Sequence, residues 1–184
     1  NYSLRFYRSE NFIPGFYSLS LGADDGARLS IDGGSTWILD SFTEHSYSIL
    51  TTNAAFPNGV CLSGPTQLVL EYFKRPVDAR VSFSATLLSA TITQPVNQTI
   101  CEGDAASFSV GSNLAVSSYQ WQQSTDGGLS FSPLSNNSTF SGTTTSTLQI
   151  NASPFSLNGT LYSCILTGTC GNAYTGNAAL LTLN

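Results

Sequence analysis

The stretch GADDGARLSIDGG, residues 22–34, places two carboxylates side by side at Asp24 and Asp25. Glycines flank the pair, which is typical of the bend of a β-hairpin. Because adjacent like charges repel, the pattern has three interpretations: ligands for a metal ion, a pair of catalytic acids, or an acidic turn. The choice depends on what else the chain offers and on the elements that hold the pair.

The inventory of reactive residues does not favour an enzyme. His45 is the only histidine, and its place in FTEHSY favours a surface or hydrogen-bonded role. No nucleophile elbow, phosphate-binding glycine loop or metal-binding motif occurs. A glycosidase pair drawn from Asp24, Asp25, Asp32 and Asp40 is the enzymatic alternative, but adjacent aspartates on one turn cannot easily flank a scissile bond. We therefore expect no catalytic site.

Two further stretches match the pattern S-x-D-x-G-x-[ST]-[WF] of the Asp-box hairpin. They are SIDGGSTW, residues 30–37, and STDGGLSF, residues 124–131. In such a turn the Asp side chain bonds to N–H groups of its own loop. We expect Asp32 and Asp126 to form turns.

Composition limits the partners. The net charge is -5 and charged residues make up 9% of the chain, whereas nucleic-acid binding needs clustered Lys and Arg to neutralise phosphates. No apolar run approaches the length of a membrane span. A hydrophobic content of 41% is ample for a packed core. We expect no nucleic acid and no membrane insertion, and the low charge with many Ser, Thr and Asn residues is typical of a secreted or cell-surface protein.

The distribution of charge predicts two domains. All six basic residues lie in the first 80 positions, and only three acids follow residue 90. We therefore predict domains at residues 1–90 and 91–184. Both halves contain short stretches that alternate apolar and polar residues, such as FYSLSLG, TQLVLEYF, SYQWQQS and TLYSCILTG. This alternation, with turn residues between the stretches, predicts an all-β chain of two antiparallel β-sandwiches.

The second half resembles the bacterial immunoglobulin-like repeats of very large secreted surface proteins. The matching stretches are QTICEGDAASFSV, YQWQQSTDGGLSF, FSGTTTSTLQI, NGTLYSCILTGTCG and NAALLTL. Trp121 stands where such a fold buries a tryptophan, and Tyr162 precedes Cys164 by two residues, which is the spacing of a tyrosine corner. Val110 stands where the first sandwich cysteine would fall. The resemblance implies a stalk or spacer module.

The four cysteines permit three complete pairings, and the sequence does not choose among them. An oxidising compartment favours a bridge from Cys101 to Cys164 or Cys170. Cys61 is the one cysteine of the first half. Metal ligation is disfavoured because no C-x-x-C spacing is present.

The first half resembles the protective-antigen-type module (the PA-fourteen domain), a β-sandwich of bacterial toxins, glycosidases, flocculins and adhesins. The matching features are PGFYSLSL, DDGARLSIDG, WILDSFTEH, LSGPTQLVLEYF and ARVSF, within residues 2–86. In lectin members the aspartate pair holds Ca²⁺, which then takes sugar hydroxyls, so the resemblance implies that Asp24 and Asp25 are calcium ligands. Calcium accepts about six to eight oxygen ligands, which leaves positions for hydroxyls.

A second loop completes the calcium site in those members, and here it reads KRPVDAR, residues 74–80. It supplies Asp78 or backbone carbonyls as further metal ligands, with Lys74 and Arg75 beside the sugar. A cation next to the aspartates would also neutralise them without metal. The acidic turn therefore remains an alternative to the calcium site.

We expect a non-catalytic carbohydrate-binding module of a larger secreted or cell-surface adhesin, with extracellular glycans and further modules of the same chain as partners. One alternative is a purely structural stalk or spacer. The other is an accessory module of a polysaccharide-degrading enzyme.

Overall fold

The computed structural model describes residues 2–53, 55–75 and 80–184 and divides the chain into two compact units, Asn1–Ser89 and Ala90–Asn184. Each unit has its own hydrophobic core. The prediction of an all-β chain is confirmed, since in the described ranges the one helical segment is a 3-10 turn at Phe155–Leu157. No helix in this part of the chain has the length and apolarity needed to cross a bilayer.

The first unit is a six-stranded antiparallel sheet. Its strands are β1 (Tyr2–Asp24), β2 (Ala27–Ser30), β3 (Leu39–Ser41), β4 (Ser48–Thr51), β5 (Val60–Lys74) and β6 (Arg80–Leu87). The hydrogen-bonded order is β3-β2-β5-β1-β4, and β6 also pairs with β1.

The long strand β1 organises this sheet. It pairs with β5 from Tyr2↔Lys74 to Tyr17↔Val60, with a register shift between Phe12 and Gly15. Its last part pairs with β6 and β4 instead. Alternation along FYSLSLGA explains the packing, because every second residue, Tyr17, Leu19, Leu21 and Ala23, is buried in the core.

The second unit is an immunoglobulin-like sandwich. Its strands are β7 (Ile92–Thr93), β8 (Gln98–Ile100), β9 (Ala106–Ser109), β10 (Gly111–Ser112), β11 (Val116–Ser124), β12 (Ser132–Pro133), β13 (Phe140–Ser141), β14 (Thr147–Ile150), β15 (Leu161–Gly168), β16 (Ala173–Thr175) and β17 (Ala179–Leu183). One main sheet has the order β12-β11-β15-β17-β8 and the other β13-β14-β9. These orders correspond to the two sheets of an immunoglobulin domain.

The core of the second unit lies around Trp121. The indole is fully buried, and its Nε1 donates to the carbonyl of Thr145 at 2.9 Å. Tyr162 is also fully buried, with its ring centroid 5.0 Å from that of Phe108. Burial raises the pKa of Tyr162 to about 12. The tyrosine-corner hydrogen bond is not formed, since the Tyr162 hydroxyl makes no hydrogen bond to a backbone group in the described ranges.

The predicted bridge from Cys101 to Cys164 or Cys170 is wrong. Cys101 and Cys164 are both free thiols. Cys101 lies exposed after β8, whereas Cys164 lies fully buried on β15, directly opposite Trp121 in the register. Cys170 is buried as well. Apolar packing around Trp121 therefore occupies the place where an inter-sheet disulfide would stand in an antibody domain.

Candidate functional site

The two adjacent aspartates form the turn between β1 and β2. Asp25 adopts a left-handed backbone conformation, with φ of 63°, and its N–H donates to the carbonyl of His45 at 3.0 Å. Tyr72 donates its hydroxyl to the carbonyl of Asp24 at 3.0 Å. Gly26 is required next, because a Cβ there would lie 2.1 Å from the ring of Phe73. The DDG motif thus fits a tight turn packed against β5.

Lys74, at the end of β5, supplies the charge that this turn needs. Its side chain is only 1% exposed, and its Nζ lies 3.2 Å from Asp25 Oδ2 and 3.8 Å from Asp24 Oδ1. The contacts are ionic rather than well-aligned hydrogen bonds, since Nζ has no acceptor in hydrogen-bonding geometry in the described ranges. Arg75 donates its backbone N–H to Asp25 Oδ2 at 2.9 Å. A buried ammonium therefore faces both carboxylates.

Both partners are held in their charged forms. The hydrogen bond from the Arg75 backbone, with the charge of Lys74, lowers the pKa of Asp25 against the opposing effect of burial. Burial alone would lower the pKa of Lys74, but the contact with Asp25 and the charge of Asp24 raise it. Opposite charges at this distance favour ionisation of each other.

The described residues do not fit the calcium site that the resemblance implies. A calcium ion between Asp24 and Asp25 would meet the ammonium of Lys74, which is buried and has no other acidic partner in the described ranges. No group of three or more His, Cys, Asp or Glu side chains suited to a metal occurs there either. The third predicted ligand, Asp78, lies outside the described residues.

Of the two predicted sugar contacts, Lys74 and Arg75, only Arg75 is accessible to a ligand. Lys74 is buried and does not present its ammonium to a ligand. Arg75 is exposed and forms an ion pair with Glu44. His45 contacts backbone carbonyls, with Nδ1 2.8 Å from the Ser46 oxygen, so its predicted hydrogen-bonded role is confirmed.

A second cluster, which the sequence did not reveal, lies on the face of the sheet formed by β1, β2 and β5. We call it the Arg5 face and define it by the side chains Arg5, Tyr7, Arg28, Trp37, Phe42 and Glu71. Glu71 joins two arginines: its Oε1 lies 3.2 Å from Arg5 Nε, and its Oε2 accepts from Arg28 Nε at 2.7 Å. The register aligns Glu71 with both arginines, through Arg5↔Glu71 and Arg28↔Glu71.

Aromatic rings flank the two guanidinium groups. The Arg28 guanidinium carbon lies 4.1 Å from the ring centroid of Trp37 and 4.7 Å from that of Phe42. The Arg5 carbon lies 5.3 Å from the centroid of Tyr7. Distances below about 6 Å are those of cation–π contacts. The Arg5 face thus combines aromatic rings with paired charges at the surface.

A depression of about 320 Å³ opens at this face. Its lining consists of Ser3, Leu4, Arg5, Phe42 and Glu71. The volume lies near the lower end of the range for small-molecule sites, and the mixture of apolar surface with a few polar groups is typical of them. The arrangement can bind a small polar ligand, with hydrogen bonds from Arg5 and Glu71.

The first Asp-box turn positions the aromatic part of the Arg5 face. Asp32 Oδ1 accepts from the Ser30 hydroxyl at 2.6 Å and from the Thr36 N–H at 2.9 Å. These hydrogen bonds lower the pKa of Asp32. Trp37 follows directly, and Gly34 in the turn approaches Arg5 so closely that a Cβ would lie 2.3 Å from its Nη2. The predicted turn role of Asp32 is confirmed.

The second Asp-box turn repeats this geometry in the other unit. Asp126 Oδ1 accepts from the Ser124 hydroxyl at 2.6 Å and from the Ser130 N–H at 3.0 Å. The pKa of Asp126 is lowered for the same reason, first of all by the Ser124 hydroxyl. Asp126 is therefore a turn-former, as predicted.

No protein-family model matches the chain, and no curated protein matches it. Among solved structures, one similar chain comes from a study of T cell specificity and activation by the bacterial superantigen toxic shock syndrome toxin-1. It is 16% identical with a TM-score of 0.42, over 52% of this chain and 100% of that one. Another is the N-terminal Ig1-2 module of the Drosophila receptor protein tyrosine phosphatase DLAR, 21% identical with a TM-score of 0.40, over 52% of this chain and 48% of that one. Likeness at this level carries no argument about function.

Proposed function

We propose that the chain is a non-catalytic carbohydrate-binding module of a larger secreted or cell-surface adhesin, with the sugar bound on the Arg5 face. The observation that carries this proposal is the combination of aromatic rings, guanidinium groups and a carboxylate on one face of the sheet, beside a depression lined by Arg5, Phe42 and Glu71. Rings offer apolar faces to sugar C–H groups, while charged groups exchange hydrogen bonds with hydroxyls. The resemblance of residues 2–86 to the protective-antigen-type module supports the same ligand class.

In this proposal sugar binding does not depend on calcium. Lys74 already pairs with Asp24 and Asp25, and the Arg5 face uses none of the three residues. The expected partners are extracellular glycans, and a secreted or cell-surface location follows from that role.

A glycan array tests the proposal, with the chain applied once in calcium and once in EDTA. We expect the same set of glycans to bind under both conditions. Tyr7→Ala removes the most exposed ring of the face, since Tyr7 is 69% exposed, and should weaken binding. The matched control is Phe56→Ala, which removes another exposed ring of the same unit outside the face.

Two results would overturn this assignment. Binding in calcium alone, abolished by Asp25→Asn, would return the sugar to the aspartate turn. Silence on the array under both conditions would favour the structural alternative, a stalk or spacer. That alternative is supported by the closed ion pair of Lys74 and by the Asp126 turn, which serves the fold alone.

A further inference from the structure

We propose that the Arg5 face selects acidic sugars, that is, glycans bearing a carboxylate or a sulfate, through the terminal nitrogens of Arg5. This inference rests on the proposed function and names the ligand class of the same site. Its basis is the unequal way in which Glu71 is shared between two arginines.

Glu71 commits most of its carboxylate to Arg28. Oε2 contacts both Nε of Arg28, at 2.7 Å, and its Nη2, at 2.5 Å. Arg28 is further enclosed by the rings of Trp37 and Phe42. The Arg28 guanidinium is thus paired and held in place within the face, and Arg28 acts as a positioning residue for Glu71.

The terminal nitrogens of Arg5, Nη1 and Nη2, form a fork that remains available to a ligand. The Nε of Arg5 lies 3.2 Å from Glu71 Oε1, and the Arg5 side chain is 42% exposed. In the described ranges neither Nη1 nor Nη2 donates a hydrogen bond, and Glu71 is the one acidic residue that pairs with Arg5. A planar pair of terminal N–H groups matches the two oxygens of a carboxylate or sulfate in a bidentate contact.

The other charges near the face do not close this fork. Asp40 stands opposite Arg28 in the β2–β3 register, and its Oδ1 accepts from the Phe42 N–H at 3.2 Å. The carboxylate of Asp32 is occupied within its own turn. Neither forms an ion pair with Arg5 in the described ranges. Glu71 is thus the one described carboxylate that pairs with both guanidinium groups, and the less completely paired and more exposed of the two is that of Arg5.

The position of Arg5 is fixed from two sides. The Asp-box loop approaches its Nη2 at Gly34, where an added Cβ would lie 2.3 Å from this nitrogen and would displace it. The Tyr7 ring, on the same face of β1, has its centroid 5.3 Å from the guanidinium carbon. Both Arg5 and Glu71 line the depression of about 320 Å³. An acid group on Arg5 would therefore bring its sugar ring over this depression.

The test compares matched glycans on the whole chain by surface plasmon resonance. The probes are a sialylated oligosaccharide, a sulfated one of the same backbone, and the neutral backbone itself. We expect at least one acidic probe to bind roughly tenfold tighter than the neutral one, as for one added charge-assisted hydrogen-bond pair. The acidic probe that binds more tightly, sialylated or sulfated, identifies the acid group that is preferred.

Variants assign the preference to Arg5. Arg5→Gln should remove the acidic preference, so that the acidic probe loses about tenfold more affinity than the neutral one. Arg5→Lys should retain only part of the preference, because an ammonium lacks the fork. Arg8→Gln is the control, since Arg8 is also exposed on β1 but pairs with Glu10 on the opposite face. Unfolding curves of each variant confirm that the unit is intact.

The outcomes separate the two proposals. Equal binding of acidic and neutral probes overturns the acidic preference and leaves the proposed function standing. Equal losses in Arg5→Gln and Arg8→Gln also overturn it, because they indicate unspecific attraction. No binding of any probe overturns both proposals.

Discussion

At the residue scale, Lys74 decides between a metal site and a structural turn. A cation is built into the chain where the resemblance to lectin modules places calcium. A buried ammonium needs a counter-charge, and a partly buried carboxylate pair needs a cation, so the two requirements are met together. Removing either partner leaves the other charge uncompensated, whereas the intact pair has no need of a metal.

The first prediction follows from the presence of Lys74 at the place where the resemblance puts calcium. We expect the thermal midpoint of the wild-type chain to be the same in millimolar calcium and in EDTA. Lys74→Ala should lower the midpoint, because Asp25 then keeps its charge without its partner, and added calcium should recover part of the loss. Differential scanning fluorimetry measures all four conditions. The control is Arg8→Ala, which removes an exposed cation that pairs with Glu10 away from the turn. A calcium-induced rise in the wild type that Asp25→Asn abolishes would contradict the prediction.

The same pair predicts how stability depends on pH. Asp25 has a lowered pKa, so its contribution is complete above the unfolded value of about 3.9 and is lost as pH falls through the folded pKa. Lys74 has a raised pKa, so its contribution is complete below about 10.4 and is lost as pH rises through the folded pKa. Wild type should therefore exceed Asp25→Asn in stability most between about pH 4 and pH 10. Urea unfolding across pH checks this, and a constant difference would contradict it.

At the element scale, two turns of the same sequence pattern carry different consequences. The turn of Asp32 holds Trp37 and approaches Arg5, whereas the turn of Asp126 lies in the second unit. The hydrogen bonds around each aspartate are nearly identical, so the two substitutions disturb the backbone to a similar degree.

This gives a matched pair of variants. Asp32→Ala and Asp126→Ala should both lower the thermal midpoint, since each leaves several N–H and O–H groups without their acceptor. Only Asp32→Ala should also weaken glycan binding, because it releases the loop that positions Trp37 and Arg5. Calorimetry and glycan binding on the same samples make the comparison. Equal binding losses in both variants would separate the Asp32 turn from the ligand site.

The elements themselves were predictable, but the Arg5 face was not. Alternation in FYSLSLGA predicts the buried residues of β1, and the spacing in SIDGGSTW predicts the turn of Asp32. Arg5, Arg28 and Glu71 are far apart in the sequence and meet only because β5 pairs with both β1 and β2 in one particular register. That register depends on long-range packing, which a single sequence does not display.

The cysteines show a related limit. Four cysteines in an oxidising compartment favour bridges, but a bridge also needs two Cα atoms within about 7 Å. The sheet places Cys164 inside the core opposite Trp121 and leaves Cys101 exposed after β8. Composition predicts only that bridges form, whereas the fold determines which cysteines can meet.

At the scale of the whole molecule, Cys164 provides a natural reporter of how often the second unit opens. Its thiol is fully buried, and burial raises its pKa to about 11. A thiol with such a pKa is almost entirely protonated near neutral pH and has no access to reagents, so it reacts only when the core opens. Cys101, in contrast, is exposed and should react at once.

Thiol labelling at pH 8 should therefore give a fast reaction that Cys101→Ser removes, and a slow reaction of Cys164. Leu148 is fully buried in the same core, and Leu148→Ala should cost about 2–5 kcal/mol. If the opened core recloses faster than Cys164 is labelled, the rate of the slow reaction follows the equilibrium population of the open form. This rate should then rise by a factor of about 30 or more in Leu148→Ala. Glycan binding should stay unchanged, because the Arg5 face lies in the first unit. Fast labelling of Cys164 in the folded wild type would show that the core around Trp121 is open, and a binding loss in Leu148→Ala would place part of the ligand site outside the first unit.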